Sequence, residues 1–206
     1  MSAVAGTADR VVDVAFPVDG THLPRDHALP LSQALSAQLA WLAAEPLVGI
    51  HPINVVPGYG VRGLLSRRTR LLIRLPRRRV ADLAPLAGCS LNVGGCELHL
   101  GEPKSRELLP HSTLYAHFVA AESADEQAFM AAVASTLDAL DIDAHSVCGR
   151  RQTMGSPGRA ITGFSLMLHG LTPDDSLRVQ RAGVGPQRLL GCGIFVPHRS
   201  AAAVGV

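Results

Sequence analysis

Eight arginines fall between Arg62 and Arg79, at positions 62, 67, 68, 70, 74, 77, 78 and 79, with no aspartate or glutamate among them. A guanidinium forks a phosphate through two parallel N–H bonds and stacks on bases, so an acid-free arginine block points to nucleic acid. A second phosphate-binding candidate lies near the C-terminus. There, Gly183, Gly185, Gly191 and Gly193 bracket Arg188 in a Gly-x-Gly-x-x-Arg-x-x-Gly-x-Gly run that leads into the apolar Ile194, Phe195 and Val196. Glycine reaches φ > 0 and lets another backbone come close, so such loops cradle phosphates, although they also serve as plain tight turns. Among the nine histidines, no pair has metal-ligand spacing with a third ligand nearby. The four cysteines (Cys89, Cys96, Cys148 and Cys192) fit no close-paired zinc pattern. No metal is therefore expected, and the cysteines read as small buried apolar residues.

The totals frame this chemistry. A chain of 206 residues, 47% of them hydrophobic, can bury the core of one domain or of two small ones. Net charge is only +2, yet every basic residue except Lys104 is an arginine, and acids gather instead between Glu122 and Asp143. No apolar run reaches the length of a membrane span, and the first residues lack a basic-then-apolar leader. The expectation is a cytoplasmic protein with no membrane partner.

The elements that must position these residues follow from pattern. Val11–Val18 reads as a strand stopped by Asp19-Gly20, and Asp26 is placed to cap a helix over about Ala28 to Ala44. Gly49–Val56 and Thr69–Pro76 read as strands, the second with Arg70 and Arg74 on one face and leucines on the other. Val80–Gly88 reads as a short helix, and Leu91–Gly101 as a hairpin turning at Gly94-Gly95. The order β-α-β-β-α-β is ferredoxin-like, and it repeats. Ser112–Ala120 is a strand, Asp125–Leu140 an acid-capped helix, and Asp143–Gly149 and Ala160–Gly170 are strands around a basic turn. Thr172 caps a helix with Pro173 in its first position, and the glycine loop delivers the last strand. The fold class is thus α+β with two tandem ferredoxin-like halves, residues 1–105 and 106–206, joined near Pro103 to His111.

Two such halves, the second ending in that glycine loop, resemble the RAMP superfamily of CRISPR-associated RNA-binding proteins. More closely, the chain resembles the CRISPR repeat-processing endoribonuclease, the sixth Cas protein family, in its myxan subtype. The resemblance is carried by segments along nearly the whole chain: Val12–Val18, Leu23–Leu35, Gly49–Ile53, Arg68–Pro76, His111–Val119, Cys148–Arg151, Gly163–Leu171 and Gly183–His198. It implies a metal-independent nuclease that cuts precursor CRISPR RNA within its repeats, leaving 5′-hydroxyl and 2′,3′-cyclic phosphate ends. The implied partners are the repeat RNA, both as precursor and as retained guide, and other Cas proteins of an effector complex. A non-catalytic RAMP subunit that binds guide RNA and scaffolds such a complex would carry the same fold, loop and arginines without needing a histidine.

For the nuclease, the 2′-OH attacks the adjacent phosphate in line, so the protein must orient the strand, take one proton and deliver another. Histidine suits both transfers and arginine suits the charge growing on phosphoryl oxygens. The family places its catalytic histidine on or just after the first helix, and two residues match. His51, in Gly49-Ile-His-Pro, is favoured, and His27, at the helix start, is second. His99, His117 and His169 alternate with apolar residues on strands and read as solvated or core-edge positions. Arg67, Arg68, Arg70 and Arg74 are the first choice for RNA, with Arg150 and Arg151 on the basic turn and Gly183, Gly185, Arg188, Gly191 and Gly193 gripping the backbone. Tyr59, on a glycine-flanked loop, is a candidate to stack a base or orient the nucleophile. With two tyrosines and one tryptophan, the chain is expected to rely on shape and backbone contacts more than on many stacked bases.

Overall fold

Strand β1 (Val11–Asp19) runs through the middle of the first unit because both of its faces are apolar except at Asp13 and at its exposed last residue, Asp19. In the computed structural model, which describes residues 10–57, 60–155 and 160–198, it pairs antiparallel with β6 (Arg70–Pro76) along seven residues, with Asp13 opposite Arg74. The sheet order is β3 (Gly49–Ile50), β6, β1, β8 (Cys96–Leu100), β7 (Ser90–Val93), with β9 (Lys104–Glu107) also paired to β1. Strands that are second, third, first and fourth in the ferredoxin-like count therefore lie side by side in that order. Helix α1 (Ala28–Gln38) buries Leu31 and Leu35 on this sheet's core, one helical turn apart.

The second unit repeats the order with little elaboration: β11 (His145–Met154), β12 (Ile161–His169), β10 (Thr113–Ala120), β13 (Val196–Pro197). Helix α2 (Glu126–Ala139) starts where Asp125 accepts from the Gln127 amide at 2.8 Å, and it buries Phe129, Val133 and Leu137 at a spacing of four. Helix α3 (Pro173–Ala182) is capped by Thr172, whose Oγ1 accepts from the Asp175 amide. Its buried face joins the core through Val179 but is otherwise polar. Ser176 Oγ accepts from the His111 amide, and Gln180 Nε2 donates to the Leu109 carbonyl, so α3 holds the chain segment that enters this unit. One compact unit ends at Glu107 and includes Leu189–Gly191; the other comprises Leu108–Arg188 and the chain from Cys192 onward. No helix among the described residues is long and apolar enough to cross a membrane.

Several local expectations change. The helix predicted to Ala44 stops at Gln38, and residues 40–44 form a 3-10 turn instead. The position expected of Asp26 as cap is taken by His27, which makes no side-chain cap bond. The helix predicted after Val80 is a 3-10 turn with Pro85 inside it, a residue that supplies no amide hydrogen to an α-helical ladder. The strand predicted over Gly49–Val56 pairs with β6 only at its first two residues. Beyond them the chain builds a small second sheet, β2 (His22–Pro24), β5 (Arg62–Leu64) and β4 (Val56–Pro57), that periodicity did not reveal. The segment read as the connection between halves contains β9.

Two glycines test how the glycine loop is built. Gly193 has φ +65° and its backbone is pressed against Val184, so an added Cβ meets that carbonyl; Gly95 has φ +81° but faces open space. Gly193→Ala is expected to lose more stability in urea unfolding than Gly95→Ala, whose cost is only the left-handed conformation, about 1–2 kcal/mol. Equal losses would mean that the loop relaxes around the new methyl group.

Candidate functional site

Alternation along β1 turns Asp13 to the face of the sheet opposite Val12, Val14 and Phe16, where it is half-buried. A charge withdrawn from water in this way needs partners, and Asp13 has two. Arg74, directly across the ladder, donates Nε to Oδ1 at 2.8 Å and Nη2 to Oδ2 at 3.0 Å, a fork that fits both oxygens. His51, which leaves the end of β3, places Nε2 3.4 Å from the same Oδ1. Burial alone would raise the Asp13 carboxyl, but hydrogen bonds from His51 and Arg74, with the arginine's charge, outweigh it and hold the group far below the usual carboxylate range. An ionised carboxylate therefore faces Nε2 of the imidazole and orients the ring.

His51 is held from the backbone side as well. Its amide donates to the Leu72 carbonyl at 3.0 Å, and two residues later the Ile53 amide donates to His27 Nε2 at 3.2 Å. His27 in turn donates Nδ1–H to the Pro24 carbonyl at 2.9 Å. Those two bonds fix His27 as a neutral ring whose nitrogens both serve the backbone. It ties the Ile53 end of the segment to the start of α1. Gly191, which groups with this unit, leaves the space that Pro52 fills and lies against the Ile50 carbonyl; its φ of +86° suits no side chain. The two histidines expected to compete are thus brought together by one five-residue segment, with different work.

The arginine block sorts by partner. Arg74, expected to face RNA, is 1% exposed and belongs to the Asp13 fork. Alternation along β6 identifies a face but cannot tell that the face is covered. Arg77 pairs with Glu107, Arg78 with Glu45 at 2.7 Å, and Arg79 with Asp82 at 2.9 Å while lying over the Trp41 ring. Arg70 turns back on the carbonyls of Arg67 and Thr69, and Arg62 meets His22. Arg67 and Arg68 remain, exposed on the turn before β6, with no carboxylate partner among the described residues. In the second unit Arg150 and Arg151 are exposed on β11. Arg188 donates Nη1 to the Ala182 carbonyl at 2.6 Å, so it braces the glycine loop against the end of α3. Gly183, Gly185, Gly191 and Gly193 all take positive φ, as a looping backbone requires. Tyr59 lies outside the described residues. Cys96 and Cys192 are buried and unpaired, as small apolar residues would be, and burial pushes the Cys192 thiol up to about 12.

With this geometry in hand, comparison with known proteins is decisive for family. The Cas6 CRISPR family model matches residues 12–200. The chain belongs to the Cas6 family. A curated relative, the CRISPR-associated endonuclease Cas6 of Myxococcus xanthus (strain DK1622), is 40% identical over 194 residues, covering 94% of this chain and 84% of that protein. Among solved structures, a CRISPR-associated protein Cas6 superposes with a TM-score of 0.68 at 12% identity, over 92% of this chain and 100% of its own. A protein from a Cas6-related gene of Pyrococcus furiosus gives 0.58 at 10% identity, over 90% and 98%. At such identities the likeness is one of fold, and the fold is the Cas6 tandem of ferredoxin-like halves.

Asp13 and the role of Arg74 were missing from the sequence reading. The signal was there in a weak form, as a single acid in an otherwise apolar strand. The ion pair makes a pH prediction. A carboxyl whose folded value is depressed stabilises above its unfolded value of about 3.9, and that stability is lost as pH falls toward the folded value. Urea unfolding should find Asp13→Asn less stable than the parent by about 3 kcal/mol at neutral pH, because the buried Arg74 loses the carboxylate that it forks. The gap should narrow by about 1 kcal/mol near pH 3. A gap that widens in acid would mean that the carboxyl is not held ionised.

Proposed function

We propose that this chain cuts precursor CRISPR RNA within its repeats, using His51 for proton transfer. The carrying observation is the pairing of His51 with an ionised, arginine-clamped Asp13, set beside a His27 whose two nitrogens are both committed to backbone. The identity to a curated Cas6 endonuclease over almost the full chain supports the same reading. In the reaction the 2′-oxygen bonds to phosphorus, the P–O5′ bond breaks, a proton leaves the 2′-OH and a proton arrives on O5′. The products are a 2′,3′-cyclic phosphate and a 5′-hydroxyl. The nucleophile belongs to the substrate, so the protein's contribution is alignment and proton transfer. Asp13 orients the imidazole, while Arg74 keeps Asp13 charged and in place. His27 and Gly191 are positioning residues that fix the backbone on which His51 stands.

RNA grip falls to Arg67, Arg68, Arg150 and Arg151, whose exposed guanidinium groups meet phosphate at the least desolvation. The first half, residues 1–105, supplies proton transfer, and the second, 106–206, supplies the glycine loop and further grip. The product stays bound as guide RNA and carries the chain into an effector complex. A non-catalytic RAMP subunit is the second reading, favoured by one fact: the His51 side chain is only 10% exposed, as a purely structural clamp would be.

Cleavage of the cognate repeat RNA with EDTA present decides between the two. His51→Ala should slow single-turnover cutting about 100-fold or more while RNA affinity stays close to the parent's. A parent protein that binds but never cuts supports the scaffold. For grip, Arg67→Ala/Arg68→Ala should weaken binding across RNA sequences and flatten the slope of log affinity against log salt by about 1–2. Arg77→Ala should leave that slope unchanged, since its partner is Glu107.

A further inference from the structure

The open face of the second sheet carries a set of rings that proton transfer does not use. Register fixes which residues share it. Thr113, His169 and His145 lie in one row, and Val196, Tyr115, Met167 and Val147 in the next. The opposite face holds Leu114, Ala116, Leu166 and Leu168, which pack the core. On the open face His145 and His169 are neighbours, with ring centroids 5.0 Å apart and planes tilted by 36°. Tyr115 forms a second group, edge-on to His117 at 4.9 Å and tilted against His198 at 5.3 Å. His117, His145 and His198 are exposed, and Tyr115, Met167 and His169 are half-buried. Val147, between the two ring groups, is 44% exposed, a large apolar side chain left in water on a strand.

Charge on the same unit is segregated. The four strands contain no aspartate or glutamate, whereas β11 adds Arg150 and Arg151. The acids of this unit stand on its helices and connecting loops. A sheet with one core face, one face of flat rings and no acid on its strands matches a polyanion that presents flat apolar groups. Such a ligand is a nucleic-acid strand with unpaired bases. Four-stranded sheets of this topology stack two or three bases when aromatic side chains line the open face. Here histidine provides most of the rings, which is why a count of Tyr, Phe and Trp understates the stacking capacity.

We infer that this face binds an unpaired segment of the RNA, one base on the His145–His169 pair and one on the Tyr115–His117–His198 group, with Arg150, at the irregularity of β11 between Cys148 and Arg151, meeting the backbone beside them. The inference deepens the proposed function and rests on its reading of RNA as the ligand. It assigns a second RNA contact within the C-terminal unit, separate in chemistry from the arginine turn before β6.

The test is a cycle of protein and RNA changes. The probe is a labelled oligoadenylate of about twelve nucleotides, a length within the usual range for single-strand sites, together with the same backbone carrying abasic residues. The full chain is compared with His117→Ala/His145→Ala, both exposed positions, and with Tyr115→Leu. The parent should bind the abasic strand about tenfold more weakly per stacked base lost. The variants should bind oligoadenylate about as weakly as the parent binds the abasic strand, and removal of the bases should cost them little more. Equal affinity of parent and variants for oligoadenylate overturns the inference, as does a parent indifferent to missing bases. Variants that alter only sedimentation, with RNA affinity unchanged, also overturn it and make the face a contact between protein chains. The proposed function has its own readout. A parent that neither binds nor cuts the cognate repeat RNA refutes that reading, whereas a parent that cuts, with ring variants unchanged in affinity, refutes only this one.

Discussion

Strands β1 and β6 of the first unit are tied at one point by the ion pair of Asp13 and Arg74, which His51 meets just past the end of β3. Withdrawal from water disfavours the charge of an isolated carboxylate, and an isolated guanidinium buried as Arg74 is would be costly to keep. Each is tolerated because the other satisfies it through two hydrogen bonds, and because the ladder between β1 and β6 sets them opposite one another. Removing the pair for apolar residues of equal volume would not obviously weaken the fold, since buried pairs often add little net stability. What the pair adds is a fixed negative charge at a chosen place. His51 Nε2 lies 3.4 Å from that charge, which helps to set the direction of the ring.

The segment from Gly49 to Ile53 shows how a short, scarcely regular stretch becomes rigid. Only two of its residues are in a ladder. The remainder is held by the His51 amide on Leu72, by the Ile53 amide on His27 and by the close approach of Gly191 to Pro52. Three contacts from three distant parts of the sequence replace the regular hydrogen bonds that a longer strand would have made. That is the arrangement expected of a functional segment, in which the side chain's direction matters more than local regularity. It also explains why the glycine loop ends as it does. A Cβ at position 191 would collide with Pro52 and displace the backbone next to His51.

Much of the fold was legible in the sequence because it rests on periodicity. The alternation of β1, β6 and β10, the capped helix at Asp125 and the Thr172-Pro173 start all follow from local chemistry. The site was legible only as residue types. His51 and His27 were both visible, but their difference lies in what each ring nitrogen touches, which is a tertiary fact. The arginine block misled in the same way. Sequence spacing shows that eight guanidinium groups are close along the chain; it does not show that Glu45, Glu107 and Asp13, far away in sequence, and Asp82, just past the block, neutralise four of them. An absence of acids within a block is therefore weak evidence that the block is unpaired, and each arginine must be judged by its partner.

The two units share a strand order and diverge in what was added to it. The first inserts two strands of a three-stranded sheet and the arginine turn between its second and third core strands, and places polar residues in the Asp13–Arg74–His51 cluster. The second keeps the plain order and spends its polar residues on helix caps, on the contacts by which α3 holds Leu109 and His111, and on an exposed ring surface. Divergence of this kind is what a duplicated scaffold permits. Each apolar core needs only its own face of the sheet and its helices, so the remaining surface is free to specialise, one unit with the Asp13–Arg74–His51 cluster and the other with exposed rings. A buried imidazole held by three contacts suits chemistry that demands a single geometry. Rings exposed on a rigid sheet suit recognition, where a base can slide in from solvent and the platform does not have to move.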